Sequence, residues 1–239
     1  MADSRNETTR ARDGHEFPAH VALPSSGHGP GMVVIQEIFG VNDYIKDACT
    51  RVASLGYVAL APDLYSRIER GVAVDERAED GLQKAFGYMQ KLDFEQAIQD
   101  AIDAFRHLKR LPEVDGGRAG ILGFCLGGGV AYFVAARADP DVCVSYYGSA
   151  VPGGLGEAGS VRCPILFHFG TADDYISSEQ RHAVREAFAG RPDVEFHLHE
   201  GANHAFDNWR SPIFHHERAA TDAWQQTVDF LTRMFPTST

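Results

Sequence analysis

The chain has 239 residues, of which 44% are hydrophobic and 23% are charged, and this composition favours a folded globular protein over a disordered one. Its formal net charge of −11 is opposite to what a phosphate backbone attracts, so we expect no nucleic-acid partner. No apolar run approaches the roughly 18 residues of a membrane helix, and the polar N-terminus lacks the apolar segment of a secretory signal, which predicts a cytoplasmic protein without a membrane partner.

The predicted elements alternate between short apolar runs and longer helical patterns. Residues 1–14 are polar and are expected to form a flexible lead-in, followed by a single domain over 15–239. Predicted strands lie at 32–35, 57–61, 119–122, 142–146, 164–169 and 194–198. Predicted helices lie at about 43–55, 92–108, 127–137, 178–189 and 217–235.

Strands that are apolar throughout must be covered on both faces of their sheet. Their alternation with helices favours β–α–β crossovers and therefore a parallel sheet. The sequence thus predicts one three-layer α/β domain, with a mostly parallel central sheet flanked by helices. In such sheets the chemistry lies in the loops that leave the C-terminal ends of the strands.

The segment around Cys125 carries the sharpest chemical signal. It reads Gly123-Phe124-Cys125-Leu126-Gly127 between a predicted strand and a predicted helix, which is the G-x-S-x-G nucleophile elbow with sulfur in place of oxygen. The helix N-terminus favours a thiolate at Cys125, and the N–H of Leu126 can face an oxyanion. The other cysteines do not form a C-x-x-C pair, and without a signal segment we expect all four thiols to be reduced.

A thiol nucleophile needs a base, and in elbow enzymes the acid precedes the histidine in the chain. Asp173 and His204 follow two predicted strands in that order, so His204 is predicted as the base and Asp173 as the acid that orients it. Asp174 is an alternative to Asp173, because spacing does not distinguish adjacent acids. His197 and His199 share one face of a strand, but no third ligand is suitably spaced, so we expect no metal site.

One further acid stands where an oxyanion-hole loop belongs, directly after the first predicted core strand. Glu37 lies in the loop Gln36-Glu37-Ile38-Phe39-Gly40, and a carboxylate beside an apolar run is costly unless it is paired. Glu37 is therefore either an exposed loop acid or a carboxylate near Cys125 that accepts its S–H hydrogen bond or its proton. In the second case, Ile38 would supply another oxyanion N–H.

Four segments in this order resemble the dienelactone hydrolase (carboxymethylenebutenolidase) family. The segments are Gln36-Glu37-Ile38-Phe39-Gly40, Gly123-Phe124-Cys125-Leu126-Gly127-Gly128, Gly170-Thr171-Ala172-Asp173 and Ala202-Asn203-His204-Ala205-Phe206. The resemblance implies an α/β-hydrolase fold and a cysteine hydrolase of lactones or esters that needs no metal or organic cofactor. The best-known substrate of the family is a dienelactone from chlorocatechol breakdown.

The resemblance also implies a role for each matching residue. Cys125, His204 and Asp173 match the catalytic triad, which opens the lactone through an acyl-enzyme. Glu37 matches a glutamate that holds the resting thiol and moves when substrate arrives. Ile38 and Leu126 match the residues whose N–H groups form the oxyanion hole.

The sequence departs from the family at the two arginines that hold a substrate carboxylate. Asn208 stands four residues after His204, where one arginine is expected, and Arg210 lies two residues further on. Arg77 is a candidate for the other, with Arg67 and Arg70 nearby, although none of the three aligns without a shift. Because asparagine cannot replace a guanidinium, the sequence predicts the reaction better than the substrate.

Two other functions are compatible with the pattern: a non-catalytic ligand-binding protein on the same fold, and a redox sensor whose reactive thiol is Cys125. The preferred interpretation is a hydrolase with a small-molecule lactone or ester as its partner. We expect it to be a monomer or a small homo-oligomer.

Overall fold

The computed structural model describes residues 3–237 and alternates strands with helices as the sequence predicts. The strands are β1 (Asp3–Arg10), β2 (Glu16–Leu23), β3 (Gly29–Ile35), β4 (Val58–Pro62), β5 (Val114–Phe124), β6 (Cys143–Tyr146), β7 (Ile165–Gly170) and β8 (Val194–His199). The helices are α1 (Asp43–Ser54), α2 (Gly81–Lys91), α3 (Phe94–Leu108), α4 (Leu126–Ala138), α5 (Ser178–Ala187) and α6 (Glu217–Met234), with a 3₁₀ helix at Pro152–Ser160.

The eight strands have the order β1-β2-β4-β3-β5-β6-β7-β8 in the sheet. The pairs β1–β2 and β2–β4 are antiparallel, whereas β3–β4, β6–β7 and β7–β8 are parallel. The predicted α/β architecture with a mostly parallel sheet is confirmed. No helix within residues 3–237 is both long enough and apolar enough to cross a lipid bilayer.

The chain forms two compact units, the first made of residues 3–121 with residue 237 and the second of residues 122–236. In the first unit every residue of β3 is buried, and α1 covers the strands with a buried apolar face. The side chain of Asn42 begins α1 by accepting the N–H of Ile45, as N-cap residues commonly do. The prediction of one domain over 15–239 stays a prediction.

In the second unit α4 packs against β6, and α6 contacts β7 and β8. The first ten residues of α4 are all buried, which agrees with its almost continuous apolar sequence. Parallel pairing sets Gly170 at the end of β7 beside His199 at the end of β8. The loops after these two strands therefore leave the sheet side by side.

The expectation of a flexible lead-in over 1–14 is wrong for Asp3–Arg10, which forms β1 and pairs with β2 along its whole length. Residues 1 and 2 lie outside the described part of the chain. β1 is mostly exposed and carries no apolar alternation, so its pairing with β2 rather than its own sequence determines its structure. Pro18 lies inside β2 and weakens the strand signal there as well.

Candidate active site

Cys125 is the single residue between the end of β5 and the start of α4. Its backbone has φ of 55° and ψ of −116°, a strained conformation for a residue with a side chain, and its N–H donates to the carbonyl of Tyr146 at 3.0 Å. A Cβ on Gly123 would lie 2.0 Å from the carbonyl oxygen of Gly127, so only glycine allows the chain to turn this sharply. The elbow predicted from the sequence is thus present as a strained turn.

His204 bridges the sulfur and a carboxylate. Its Nε2 lies 3.1 Å from Cys125 Sγ, and its Nδ1 lies 2.9 Å from Asp173 Oδ2. The other oxygen of Asp173 accepts the N–H groups of Tyr175 at 2.8 Å and Ile176 at 3.1 Å. The carboxylate is therefore fixed on one side by its own loop and presents its second oxygen to the imidazole.

The surroundings of His204 favour its protonated form. Burial of the ring, which is only 5% exposed, opposes a positive charge, but the neighbouring Cys125 sulfur and the hydrogen bond to Asp173 outweigh it. Together they raise the pKa of His204 to about 10. The surroundings of the ring therefore favour a positive charge on His204.

Of the two adjacent acids left open by the sequence, the structure brings Asp173 to the imidazole. Asp174 is exposed and binds Asn203 instead: its Oδ2 accepts from Asn203 Nδ2 at 2.9 Å, and its N–H donates to Asn203 Oδ1 at 3.2 Å. Asn203 Oδ1 also accepts the N–H of His204 at 2.6 Å. Asp174 is thus hydrogen-bonded to the loop that carries His204 and not to the imidazole ring.

Two tyrosines lie against the imidazole, and neither is predicted from the sequence. The ring centroid of Tyr147 lies 5.2 Å from that of His204, and the ring of Tyr175 lies 4.9 Å away. Tyr147 is buried, whereas Tyr175 is 49% exposed and lies two residues after Asp173. An aromatic residue so close to a predicted acid is the only signal that the sequence offered for Tyr175.

The oxyanion-hole prediction concerns Leu126, in the second unit, and Ile38, in the first. Leu126 begins α4, so its N–H is among the first amides of a helix, which have no acceptor within the helix. In the first unit Glu37 is 1% exposed and is not the solvated loop acid that the sequence left open. Ile38 is buried beside it, and its carbonyl accepts the hydroxyl of Tyr65 at 2.9 Å.

The arginines considered for substrate binding in the first unit have partners of their own. Arg67 donates to both oxygens of Asp100, at 2.7 and 2.8 Å, and contacts Asp13 at 2.9 Å. Arg77 pairs with Asp75 at 3.3 Å, and Arg70 donates to the carbonyl of Glu16. These guanidinium groups already have acceptors.

Asn208 and Arg210 lie in the loop after His204. Asn208 is fully buried and accepts the N–H of Arg210 at 3.0 Å, so it shapes a turn. The guanidinium of Arg210 stands 5.5 Å from the ring of the exposed Trp209. Arg210 is accordingly the one predicted substrate-binding residue in the second unit with a partly exposed side chain.

His199 and His168 form a buried, hydrogen-bonded pair. His168 Nδ1 lies 3.0 Å from His199 Nε2, and His168 Nε2 lies 3.0 Å from Thr227 Oγ1. Burial, aided by the neighbouring His197, lowers the pKa of His199 to about 4. Within residues 3–237, no group of three or more His, Cys, Asp or Glu side chains is arranged to hold a metal ion.

A comparison with protein families matches residues 17–235 to the model of the dienelactone hydrolase family. The chain is 37% identical over 229 residues to a carboxymethylenebutenolidase of Pseudomonas sp. (strain P51), which covers 96% of this chain and 95% of that protein. It is 35% identical over 219 residues to a carboxymethylenebutenolidase of Pseudomonas putida, which covers 92% of each chain.

Solved structures share the fold over almost the whole chain. A dienelactone hydrolase-like promiscuous phosphotriesterase from metagenomic libraries aligns with a TM-score of 0.78 and 26% identity, over 98% of this chain and 99% of that one. A dienelactone hydrolase from Anabaena variabilis ATCC 29413 aligns with a TM-score of 0.72 over 98% of each chain. At 14% identity, this second likeness concerns the fold alone.

Proposed function

The chain belongs to the dienelactone hydrolase family, and from this premise we propose that it hydrolyses lactones or esters with Cys125 as the nucleophile, His204 as the base and Asp173 as the orienting acid. Its similarity to carboxymethylenebutenolidases over more than nine-tenths of the chain supports a carboxylic-ester hydrolase. The observation that supports this triad is one continuous contact: Sγ of Cys125 lies 3.1 Å from a His204 ring whose other nitrogen lies 2.9 Å from Asp173.

In the first half of the reaction, the Cys125 thiolate attacks the carbonyl carbon and forms a C–S bond, and the carbonyl oxygen becomes an oxyanion. The N–H of Leu126 and the N-terminal field of α4 stabilise that charge. Collapse of the intermediate breaks the C–O bond of the ester, and the leaving oxygen takes the proton of the His204 imidazolium. In a lactone, the leaving oxygen stays attached to the acyl group.

In the second half, the neutral His204 takes a proton from water as the water oxygen attacks the thioester carbon. The C–S bond breaks, the product leaves as a carboxylic acid, and Cys125 returns to the thiolate beside the imidazolium. Asp173 holds the Nδ1–H of the ring throughout and stabilises its positive charge. The raised pKa of His204 matches this requirement.

The roles of Glu37 and Ile38 stay predictions of the family pattern. Burial of the Glu37 carboxylate supports a specific role, because an ionised side chain at 1% exposure is costly unless it is paired. If Glu37 holds the resting thiol, Glu37→Gln will change the rate at which iodoacetamide alkylates Cys125 in the free enzyme. An unchanged rate and an unchanged turnover would contradict that role.

For the substrate, we propose that lactones and esters without a second carboxylate are accepted. Each of the three arginines after β4, Arg67, Arg70 and Arg77, already has an acceptor in the first unit. Asn208 is buried in a turn where the family pattern expects a guanidinium. Matched pairs of lactones with and without a carboxylate will test this. A strong preference for the carboxylate form that is lost in Arg210→Ala would contradict the proposal and assign the family's anion-binding role to Arg210.

The triad is tested with a chromogenic ester such as p-nitrophenyl acetate. Cys125→Ala is expected to abolish turnover and the initial burst, and mass spectrometry of the quenched parent enzyme is expected to show an acyl group on Cys125. Cys163→Ala is the matched control, since Cys163 is a buried thiol on a different segment from the triad residues. Undiminished turnover in Cys125→Ala contradicts the triad.

The same assay, with mass spectrometry repeated after exposure to peroxide, separates the two alternatives. A ligand-binding protein would show no burst and no acyl group. A redox sensor would show a peroxide-dependent mass increase on Cys125 without ester turnover.

A further inference from the structure

The pairing of β7 with β8 does not stop where the strands end. The N–H of Thr171 donates to the carbonyl of His199 at 2.9 Å, and the N–H of Gly201 donates to the hydroxyl of Thr171 at 2.8 Å. The N–H of Ala172 then donates to the carbonyl of Ala202 at 3.0 Å. The two loops thus remain joined, step by step, up to the residues that carry the acid and the base.

These loops are in close contact as well as hydrogen-bonded. A Cβ on Gly170 would lie 2.1 Å from the carbonyl oxygen of Ala202, so the absence of a side chain there allows the backbones to approach. Beyond the hydrogen bond from Ala172 to Ala202, side chains provide the next connection between the loops.

That connection is made by Asn203 and Asp174. Asn203 Oδ1 accepts two N–H groups, one from Asp174 at 3.2 Å and one from His204 at 2.6 Å, while Asn203 Nδ2 donates to Asp174 Oδ2 at 2.9 Å. The contact of Asp173 with His204 lies directly beside it, at 2.9 Å. Two adjacent residues of one loop are therefore bridged to two adjacent residues of the other.

We propose that the Asn203–Asp174 bridge is a positioning device that sets the distance and angle between Asp173 and the His204 ring, an inference that rests on the proposed function. The bridge restrains both partners by their backbones: it holds the N–H of Asp174, next to Asp173, and the N–H of His204 itself. Asparagine suits this position because its amide accepts from the backbone and donates to Asp174 at the same time.

The exposure of the bridge separates its effect on catalysis from its effect on folding. Asp174 is exposed and Asn203 is half-buried, and hydrogen bonds in contact with water add little to stability. A small displacement of a base relative to its orienting acid, by contrast, strongly lowers the rate of a positioned reaction. Loss of the bridge should therefore lower kcat while the fold persists.

The test uses Asn203→Ala, Asn203→Asp, and the exchange variant Asn203→Asp/Asp174→Asn. Asn203→Ala is expected to lower kcat about tenfold with KM unchanged, because the positioning and not the binding is lost. Asn203→Asp places two carboxylates face to face and is expected to lose activity as well. The exchange variant keeps the net charge and every bridge hydrogen bond, with the donating amide now on the acid loop, and is expected to recover most of the parent kcat.

A pH profile supplies a readout that a merely structural role would not change. The hydrogen bond to Asp173 contributes to the raised pKa of His204, so the limb of the profile that reports His204 should move to lower pH in Asn203→Ala and stay near its parent position in the exchange variant. Thermal unfolding of each variant shows whether the fold is retained.

Any of three results would contradict the positioning role of the bridge. They are a parent-like kcat and pH profile in Asn203→Ala, a loss of activity matched by a large fall in Tm, and no recovery of kcat in the exchange variant. Failure of the proposed function is recognised separately. In that case the parent enzyme itself shows no turnover above Cys125→Ala, whatever the variants at positions 203 and 174 do.

Discussion

Different forces position Cys125 and its partners His204 and Asp173. At the elbow, the absence of a side chain on Gly123 allows a turn that places Cys125 at φ of 55°. In the loops after β7 and β8, successive hydrogen bonds bring Asp173 to His204. The space available to the backbone thus determines the elbow, which we call steric exclusion. Hydrogen bonds determine the loops of Asp173 and His204, which we call polar pairing. The elbow should therefore be sensitive to added volume, and the loops should be sensitive to a change of polarity.

Among substitutions outside Cys125 itself, the largest effect is expected in the loops after β7 and β8, from a substitution that hardly alters side-chain volume. Asp173→Asn keeps an oxygen for the N–H groups of Tyr175 and Ile176 but can place an amide donor against Nδ1 of His204. The ring would then be held in the wrong tautomer, and we expect kcat to fall about 1000-fold, by analogy with other triads.

Kinetics over a range of pH will check this prediction, and Asp229→Asn, an exposed acid on α6, is the matched control. The pKa of His204 should also fall, since its hydrogen bond to the carboxylate is lost. A variant with a kcat within tenfold of the parent would show that the orientation of the imidazole does not depend on Asp173.

The second effect concerns the elbow, where one added methyl group should be harmful without any change in polarity. In Gly123→Ala the new Cβ would meet the Gly127 oxygen at 2.0 Å, so the turn must open and move Cys125. We expect a loss of kcat of at least about 100-fold, together with a destabilisation of roughly 1–3 kcal/mol.

Gly156→Ala is the control for the added methyl group, because nothing lies within 4 Å of a Cβ at Gly156. Urea unfolding and ester kinetics measure the two quantities. If Gly123→Ala matches the parent in both, steric exclusion does not determine the elbow.

This contrast also explains what the sequence could predict. Steric exclusion is visible in the local sequence. Glycines surround Cys125 between an apolar strand and an apolar helix, and this pattern predicts the elbow. The order of Asp173 and His204 identified the loops, but polar pairing depends on neighbours that are distant in the chain. The partner of Asp174 and the tyrosines beside His204 were therefore not predicted, and neither was β1, whose pairing with β2 determines its structure.

A third, smaller effect should appear in the pH dependence of the protein's stability. It concerns His199, which is buried beside His168 and whose carbonyl accepts the N–H of Thr171. Burial lowers the pKa of His199 to about 4, below its ordinary value of 6.5. The unfolded chain therefore binds more protons than the folded chain between these values, and stability is lost as the pH falls from about 6.5 towards 4.

This loss is on the order of 3 kcal/mol at most. Measurement of Tm between pH 7 and pH 4.5 will show it. His199→Phe should reduce the dependence and leave the part due to His168, whose pKa burial also lowers. His182→Phe, at an exposed position on α5, should not reduce the dependence. An equal dependence in the parent and His199→Phe would mean that other groups control acid stability.

The smallest effect is expected at Tyr175, which restrains His204 by contact and not by a hydrogen bond to its ring. The centroids of the Tyr175 and His204 rings are 4.9 Å apart, and Tyr175 is 49% exposed. Tyr175 therefore restrains His204 only in part. Tyr175→Ala should lower kcat/KM about fivefold through greater freedom of the imidazole, whereas Tyr175→Phe keeps the ring and should match the parent. A comparable loss in both variants would mean that the Tyr175 hydroxyl matters. Polar contacts, and not ring contact alone, would then restrain His204 at Tyr175 as well.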